Sequence, residues 1–280
     1  MADMMFGARL RRATDKRGPL CVGIDPHSQL LSSWGLAADV AGLERFSRTV
    51  VEALADRVAV LKPQSAFFER LGSRGIAVLE KVVSEARQAG ALVLLDVKRG
   101  DIGSTMQAYA QAYLDPASPL AVDAVTASPY LGFGSLRPAI DAALAHRCGV
   151  FVVTLTSNPE GAAVQQARGA DGRTVAQAIL DQVAEVNAQA RPLGSVGAVV
   201  GATVGETDHD FSRVNGPLLA PGLGAQGATP EDLRRVFGDS VGLVLPSYSR
   251  EVLKHGPSVT GLRDAMARAL DQCRDVLQRA

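Results

Sequence analysis

The sequence predicts a single (β/α)₈ TIM barrel, and three observations carry that prediction. Short, continuously apolar, β-branched runs alternate with longer amphipathic segments roughly eight times along the chain, the rhythm of parallel strands joined by helices. Glycine and proline punctuate the ends of the runs, as in Asp25-Pro26, Lys62-Pro63, Ser128-Pro129, Pro221-Gly222 and Pro246. The length of 280 residues suits one barrel, and no low-complexity linker divides it. The runner-up, an open doubly wound sheet, lacks its usual glycine fingerprint after the first strand.

A short helical extension over about 1–17 opens the domain, which spans 1–280. Strands are expected at 20–24, 58–61, 92–95, 121–125, 150–153, 196–200, 218–220 and 241–245. Each run is too short for a core helix and apolar on both faces, as a strand covered on both sides must be. Between them, apolar residues recur at helical spacing over 43–54, 76–89, 175–190 and 262–277.

Composition narrows the function. The chain has 29 basic and 29 acidic side chains, 47% hydrophobic and 21% charged residues, the profile of a folded globular protein rather than a disordered one. Zero net charge leaves no basic face for nucleic acid. Three scattered cysteines, Cys21, Cys148 and Cys273, lack metal-ligand spacing and read as buried thiols in a reducing compartment. The histidines, His27, His146, His209 and His255, are likewise too dispersed to suggest a metal site. With no visible signal peptide and no apolar stretch near the ~20 residues of a membrane span, no membrane is expected and the cytoplasm is the expected location.

In barrels the active site lies at the C-terminal ends of the strands. Those ends here are polar: Asp25, Lys62, Asp96 with Lys98, Ser128, Thr156 with Ser157, Thr203, Gln226 and Arg250. The densest segment is Leu95-Asp96-Val97-Lys98-Arg99-Gly100-Asp101-Ile102-Gly103-Ser104-Thr105. Asp96 and Lys98 are two apart at a strand end and share a face; Asp101, after a glycine-containing turn, is placed to return and flank the lysine. A lysine between carboxylates stays protonated, which makes it a poor Schiff-base nucleophile but a competent proton donor to a basic carbon. Pro221-Gly222-Leu223-Gly224-Ala225-Gln226-Gly227 lets backbone N–H groups approach an anion. Arg250 adds a planar fork for two phosphate oxygens.

The motif Asp-x-Lys-x-x-Asp-Ile-x-x-Thr over Asp96 to Thr105 resembles the signature of orotidine 5′-phosphate decarboxylase. Gly23-Ile24-Asp25-Pro26-His27, Lys62-Pro63-Gln64-Ser65-Ala66-Phe67-Phe68-Glu69, Ser128-Pro129-Tyr130-Leu131-Gly132, Ala220-Pro221-Gly222-Leu223-Gly224-Ala225-Gln226-Gly227 and Ser247-Tyr248-Ser249-Arg250 resemble that family's other strand-end motifs, in order. The fourth-strand turn is similar to that of the longer, bacterial type 2 branch. The resemblance runs from about residue 20 to 255.

The resemblance implies decarboxylation of orotidine 5′-monophosphate to UMP, the final step of pyrimidine synthesis, without cofactor or metal. Lys98 would protonate C6 as CO₂ leaves, with Asp96 beside the substrate carboxylate and Lys62 and Asp25 on the ribose hydroxyls. Asp101 and Thr105 would reach into a neighbouring subunit's site, which implies a homodimer. Ser157 or Thr156 would contact the pyrimidine, and Pro221, Gly222, Gln226 and Arg250 would hold the phosphate. Two positions depart from the family pattern: Ser128 stands where asparagine is usual, and Leu245-Pro246-Ser247 replaces the usual final-strand pattern.

Rival readings are distinguishable. Mg²⁺-dependent sugar-phosphate decarboxylases or synthases of the same suprafamily carry a glutamate metal ligand at the second strand end, where this chain has Lys62, a cation that would repel Mg²⁺. A Schiff-base aldolase would need a neutral Lys98. A non-catalytic nucleotide-binding protein would have no use for the Asp-Lys-Asp array.

Overall fold

The apolar runs become strands, β1 Cys21–Ile24, β2 Val60–Pro63, β3 Leu92–Arg99, β4 Ala124–Ala127, β5 Gly149–Leu155, β6 Val196–Val200, β7 Leu218–Pro221 and β8 Val244–Tyr248. The computed structural model describes residues 4–277. Its strands are all parallel and pair in sequence order, and β8 returns to β1 through Cys21–Ser247 and Val22–Tyr248, so the sheet closes into one barrel. The near-total burial of the strands explains their uninterrupted hydrophobicity, since every side chain faces either the lumen or the surrounding helices.

Two layers of core result. Between strands and helices lies the larger one, into which the helix Val40–Leu54 sends Leu43, Phe46, Val50 and Leu54. That helix starts where it does because Asp39 accepts a hydrogen bond from Gly42 N at 2.8 Å. A capping box of Thr229 and Asp232 fixes the start of the helix Pro230–Phe237 in the same way. The smaller core fills the lumen with Cys21, Val60, Leu94, Ala124, Phe151, Val199, Leu219 and Leu245.

The helix Phe6–Arg17 closes the N-terminal mouth of the barrel. Phe6 is 1% exposed and meets Phe151 edge-on, ring centroids 6.0 Å apart; burying such a ring is worth about 2–3 kcal/mol. A Cβ on Gly149 would lie 2.4 Å from the Phe6 ring, so β5 opens on glycine to admit it. The first three residues of the expected 1–17 extension lie outside the described residues.

The β2 strand starts two residues later than expected, at Val60, and β3 and β5 run on to Arg99 and Leu155; the largest displacements are at β4 and β8. β4 covers Ala124–Ala127 rather than 121–125, because the Asp123 carboxylate is engaged at the barrel's lower rim by Arg9 and by Val93 N. β8 covers Val244–Tyr248 rather than 241–245: Gly238–Leu243 form a 3₁₀ helix, and the strand runs on through Pro246. The cysteines are buried free thiols; burial pushes Cys21 up to about 12, well out of its reactive range. Among the described residues no helix is long and apolar enough to cross a membrane.

Candidate active site

A cavity of about 260 Å³ opens at the C-terminal mouth, and nearly every strand contributes to its wall. At its floor Lys62, from the end of β2, and Asp96, from β3, are each 6% exposed. Lys62 Nζ donates to Asp96 Oδ2 at 3.0 Å, and Lys98 Nζ donates to Oδ1 of the same carboxylate at 2.6 Å. Burial alone would raise the Asp96 pKa, but the two ammonium groups hold its carboxyl well below the usual carboxylate range. Burial alone would lower Lys62, yet the charges of Asp96 and Asp25 outweigh it and raise the ammonium above the ordinary lysine value. The site is thus a fixed alternation of charges, lysine–aspartate–lysine, and only Lys98, with its side chain 48% exposed, reaches into the opening.

The local backbone explains that reach. β3 pairs with β4 at Leu95–Val125 and again at Arg99–Ala127, so Asp96, Val97 and Lys98 together stand opposite the single residue Thr126. This bulge re-aims the strand end, and it leaves Lys98 at φ +45°, a left-handed conformation unusual for a residue with a side chain.

The opposite wall is an anion cradle. Pro221, the last residue of β7, and Gly222, Leu223, Ala225 and Gln226 after it line the cavity. Gly222 at φ +110° and Gly224 at φ +70° hold conformations that a side chain would oppose. A Cβ on Gly224 would also lie 2.6 Å from Glu251 Cβ, so the loop packs directly onto the segment that carries Arg250. Arg250 lines the cavity with an exposed side chain and forms no ion pair among the described residues. It also borders a wider outer groove of about 640 Å³, where His27 lies rather than in the cavity. Deeper in, Asp25 Oδ1 and Ser249 Oγ are buried without a hydrogen-bond partner, two polar atoms left for a ligand.

Of the residues expected from the sequence, Asp25, Lys62, Asp96, Lys98, Thr156, Pro221, Gly222, Gln226 and Arg250 line this cavity. Three do not. Ser157 is exposed and off the wall, whereas Thr156 faces the cavity, tied by Gln165 Nε2 at 2.8 Å. Thr105 is exposed on the helix Gly103–Leu114. Asp101 does not flank Lys98 within the chain; its carboxylate accepts from Ile102 N at 2.8 Å. Tyr130 is 77% exposed, and among the described residues Ser128 bonds only through its backbone, Ser128 N to Arg99 O at 2.8 Å. Sequence reasoning missed Thr126 and gave no role to the motif residues Gln64 and Ser249, all on the cavity wall. Thr126 carried the same signal as the others, a polar residue at a strand end, but the misplaced β4 boundary hid it.

Known proteins match this arrangement over nearly the whole chain. The family model described as orotidine 5′-phosphate decarboxylase / HUMPS family matches residues 18–264. The chain belongs to that family. An orotidine 5′-phosphate decarboxylase of Salinispora tropica is 68% identical over 272 residues, 97% of this chain and 98% of the relative. One of Streptomyces coelicolor is 66% identical over 263 residues, 94% and 95% of the two chains. The crystal structure of a Streptomyces avermitilis homologue superposes with a TM-score of 0.97 at 62% identity, covering 99% of this chain and 98% of the other. Of the segment Asp96 to Thr105, Asp96 and Lys98 sit on the wall of the cavity at the mouth of the barrel.

Proposed function

We infer that the chain decarboxylates orotidine 5′-monophosphate to UMP, and that the lysine–aspartate–lysine array performs the chemistry. The observation that carries the mechanism is the pair of ammonium groups on one buried carboxylate, with one of them, Lys98, directed into a cavity that has an anion cradle on its far side. The phosphate binds at Pro221 to Gln226 and Arg250. Asp25 and Lys62 hold the ribose hydroxyls, and Thr156 borders the pyrimidine.

As the bond between C6 and its carboxylate breaks, the electron pair stays on C6 and CO₂ departs. Lys98 Nζ delivers a proton to C6, and the amine is reprotonated from water. A carbanion at C6 has no conjugated sink, so a preorganised ammonium beside it supplies the stabilisation. Asp96 keeps Lys98 charged and oriented. Lys62, a cation where the magnesium-dependent relatives need a ligand, favours this reading over a metal-assisted one. Rapid conversion of orotidine 5′-monophosphate to UMP by EDTA-treated protein, followed by loss of absorbance, is the expected result. Activity restored only by Mg²⁺, on a sugar phosphate, would replace this reading with the suprafamily rival.

The working unit in this reading is a homodimer with shared sites. Supporting it, Asp101 is off the wall of its own chain's cavity, its carboxylate accepting from Ile102 N, and Ile102, Tyr130 and Leu131 are 63%, 77% and 53% exposed. These residues leave the adjacent ends of β3 and β4, where Gly100 lies against the Ser128 carbonyl. An apolar rim beside a carboxylate held only by a neighbouring backbone amide among the described residues suits a partner that takes Asp101 and Thr105 into its site. Mixing Lys98→Ala with Asp101→Ala, after subunit exchange, should restore up to about a quarter of wild-type activity, the statistical share of intact shared sites. No recovery would contradict the shared site.

A further inference from the structure

One hydroxyl touches both members of the proton-donating pair. The bulge in β3 sets Asp96, Val97 and Lys98 against Thr126 alone, so the amides of Val97 and Lys98 have no carbonyl partner across the sheet. Thr126 Oγ1 takes their place, accepting from Val97 N at 3.0 Å and from Lys98 N at 2.9 Å. The same oxygen donates its proton to Asp96 Oδ1 at 2.9 Å, the carboxylate oxygen that also receives Lys98 Nζ. One donor and two acceptor positions exhaust what a hydroxyl has. The side chain is 1% exposed and β-branched, so its rotamer is locked.

We propose that Thr126 is a positioning residue for the decarboxylation, its hydroxyl pinning the left-handed Lys98 backbone and the Asp96 carboxylate as one unit so that the Lys98 ammonium is held at C6. The inference rests on the reading of Lys98 as the proton donor. Without the hydroxyl, the buried Val97 amide and the part-buried Lys98 amide lose their acceptor, and the φ +45° turn at Lys98 loses the contact that compensates its strain. Lys98 would then relax toward ordinary strand geometry and swing its ammonium off axis. The phosphate cradle and the ribose contacts lie on other strands and stay in place. The defect is therefore one of turnover, with ground-state binding spared.

The test compares Thr126→Val, which keeps the shape and removes the hydroxyl, with Thr126→Ser, which keeps the hydroxyl. Both are assayed as purified full-length enzyme for kcat, KM and UMP affinity. Thr126→Val is expected to lower kcat by about 10- to 100-fold, the penalty for a displaced reacting group, with KM and UMP affinity within about threefold and Thr126→Ser within about fivefold of wild type. Should Thr126→Val fail to fold, Thr126→Ala takes its place, with kcat expected at least about tenfold below that of Thr126→Ser. Thr126→Val within twofold of wild type in kcat would overturn the proposal, as would Thr126→Ser falling as far as Val or Ala, or kcat and UMP affinity falling together. Wild-type protein inert toward orotidine 5′-monophosphate would instead defeat the decarboxylase reading itself, and the two failures are separable in the same assay.

Discussion

The barrel holds a buried aspartate flanked by two cations at each end, and the two clusters are put to different uses. At the lower rim, Asp123 accepts from Arg9 Nη1 at 2.5 Å and lies 3.6 Å from Arg87 Nε, while Val93 N donates to its other oxygen at 2.9 Å. Both arginines are further committed to backbone: Arg9 to Arg147 O and Arg87 to Ala121 O. Each guanidinium bridges the carboxylate to a backbone carbonyl, which ties the N-terminal helix and the helix Gly72–Gln88 to the barrel. At the upper rim the cations are lysines, compact charges with three donors each, and one of them is half exposed over a cavity. The arginines bridge their carboxylate to backbone and close the structure; Lys98 keeps hydrogens free for whatever enters the cavity. Residue type, rather than burial or net charge, separates a fastener from a reactive group.

Conservative substitution of each aspartate is the sharpest way to break that comparison. Asp96→Asn should lower kcat by about 10²–10³-fold, because the donor loses the charge that holds it. Asp123→Asn should leave kcat within about twofold yet cost about 2 kcal/mol of stability, a loss of roughly 4–8 °C in Tm. Steady-state kinetics and thermal unfolding on the two variants check both arms. Loss of activity in Asp123→Asn at unchanged Tm would erase the distinction.

Much of this was legible in the sequence, for a physical reason. A closed parallel barrel buries both faces of every strand, so strands stand out as apolar runs, and charges at their ends have no structural purpose that water would not serve better. Asp25, Lys62, Asp96, Lys98 and Arg250 could therefore be placed before any coordinates. Thr126 could not, because the run ending at Val125 gave no hint that Asp123 was the rim and that the strand continued two residues further. Val241 misled in the opposite sense: it is buried in a 3₁₀ turn, and periodicity cannot separate a short buried helix from a strand. The Asp123 cluster and the Phe6 plug were invisible because they join residues more than 100 positions apart. Asp101 and Thr105 are legible as motif residues, but among the described residues nothing engages them at the site.

A smaller effect sharpens the comparison through pH. Asp96 is held below its ordinary pKa of 3.8, so its pairing stabilises the fold fully above that value and is lost as pH falls below it. Lys62 is held above its ordinary 10.5, so its share is complete below that value and is lost as pH rises past it. The Tm difference between wild type and Asp96→Asn should therefore stay level from about pH 5 to about pH 9 and shrink below about pH 4. A difference that changed steadily through neutrality would mean that the pair titrates there and that the charge alternation is not fixed.

The central claim is that Lys98 is the proton donor, and the most direct measurement is the turnover of Lys98→Ala alongside its affinity for UMP. The expected result is a loss of at least about 10³-fold in kcat, as removal of a general acid gives, with UMP bound within about threefold of wild type. Turnover within about tenfold of wild type would contradict the account.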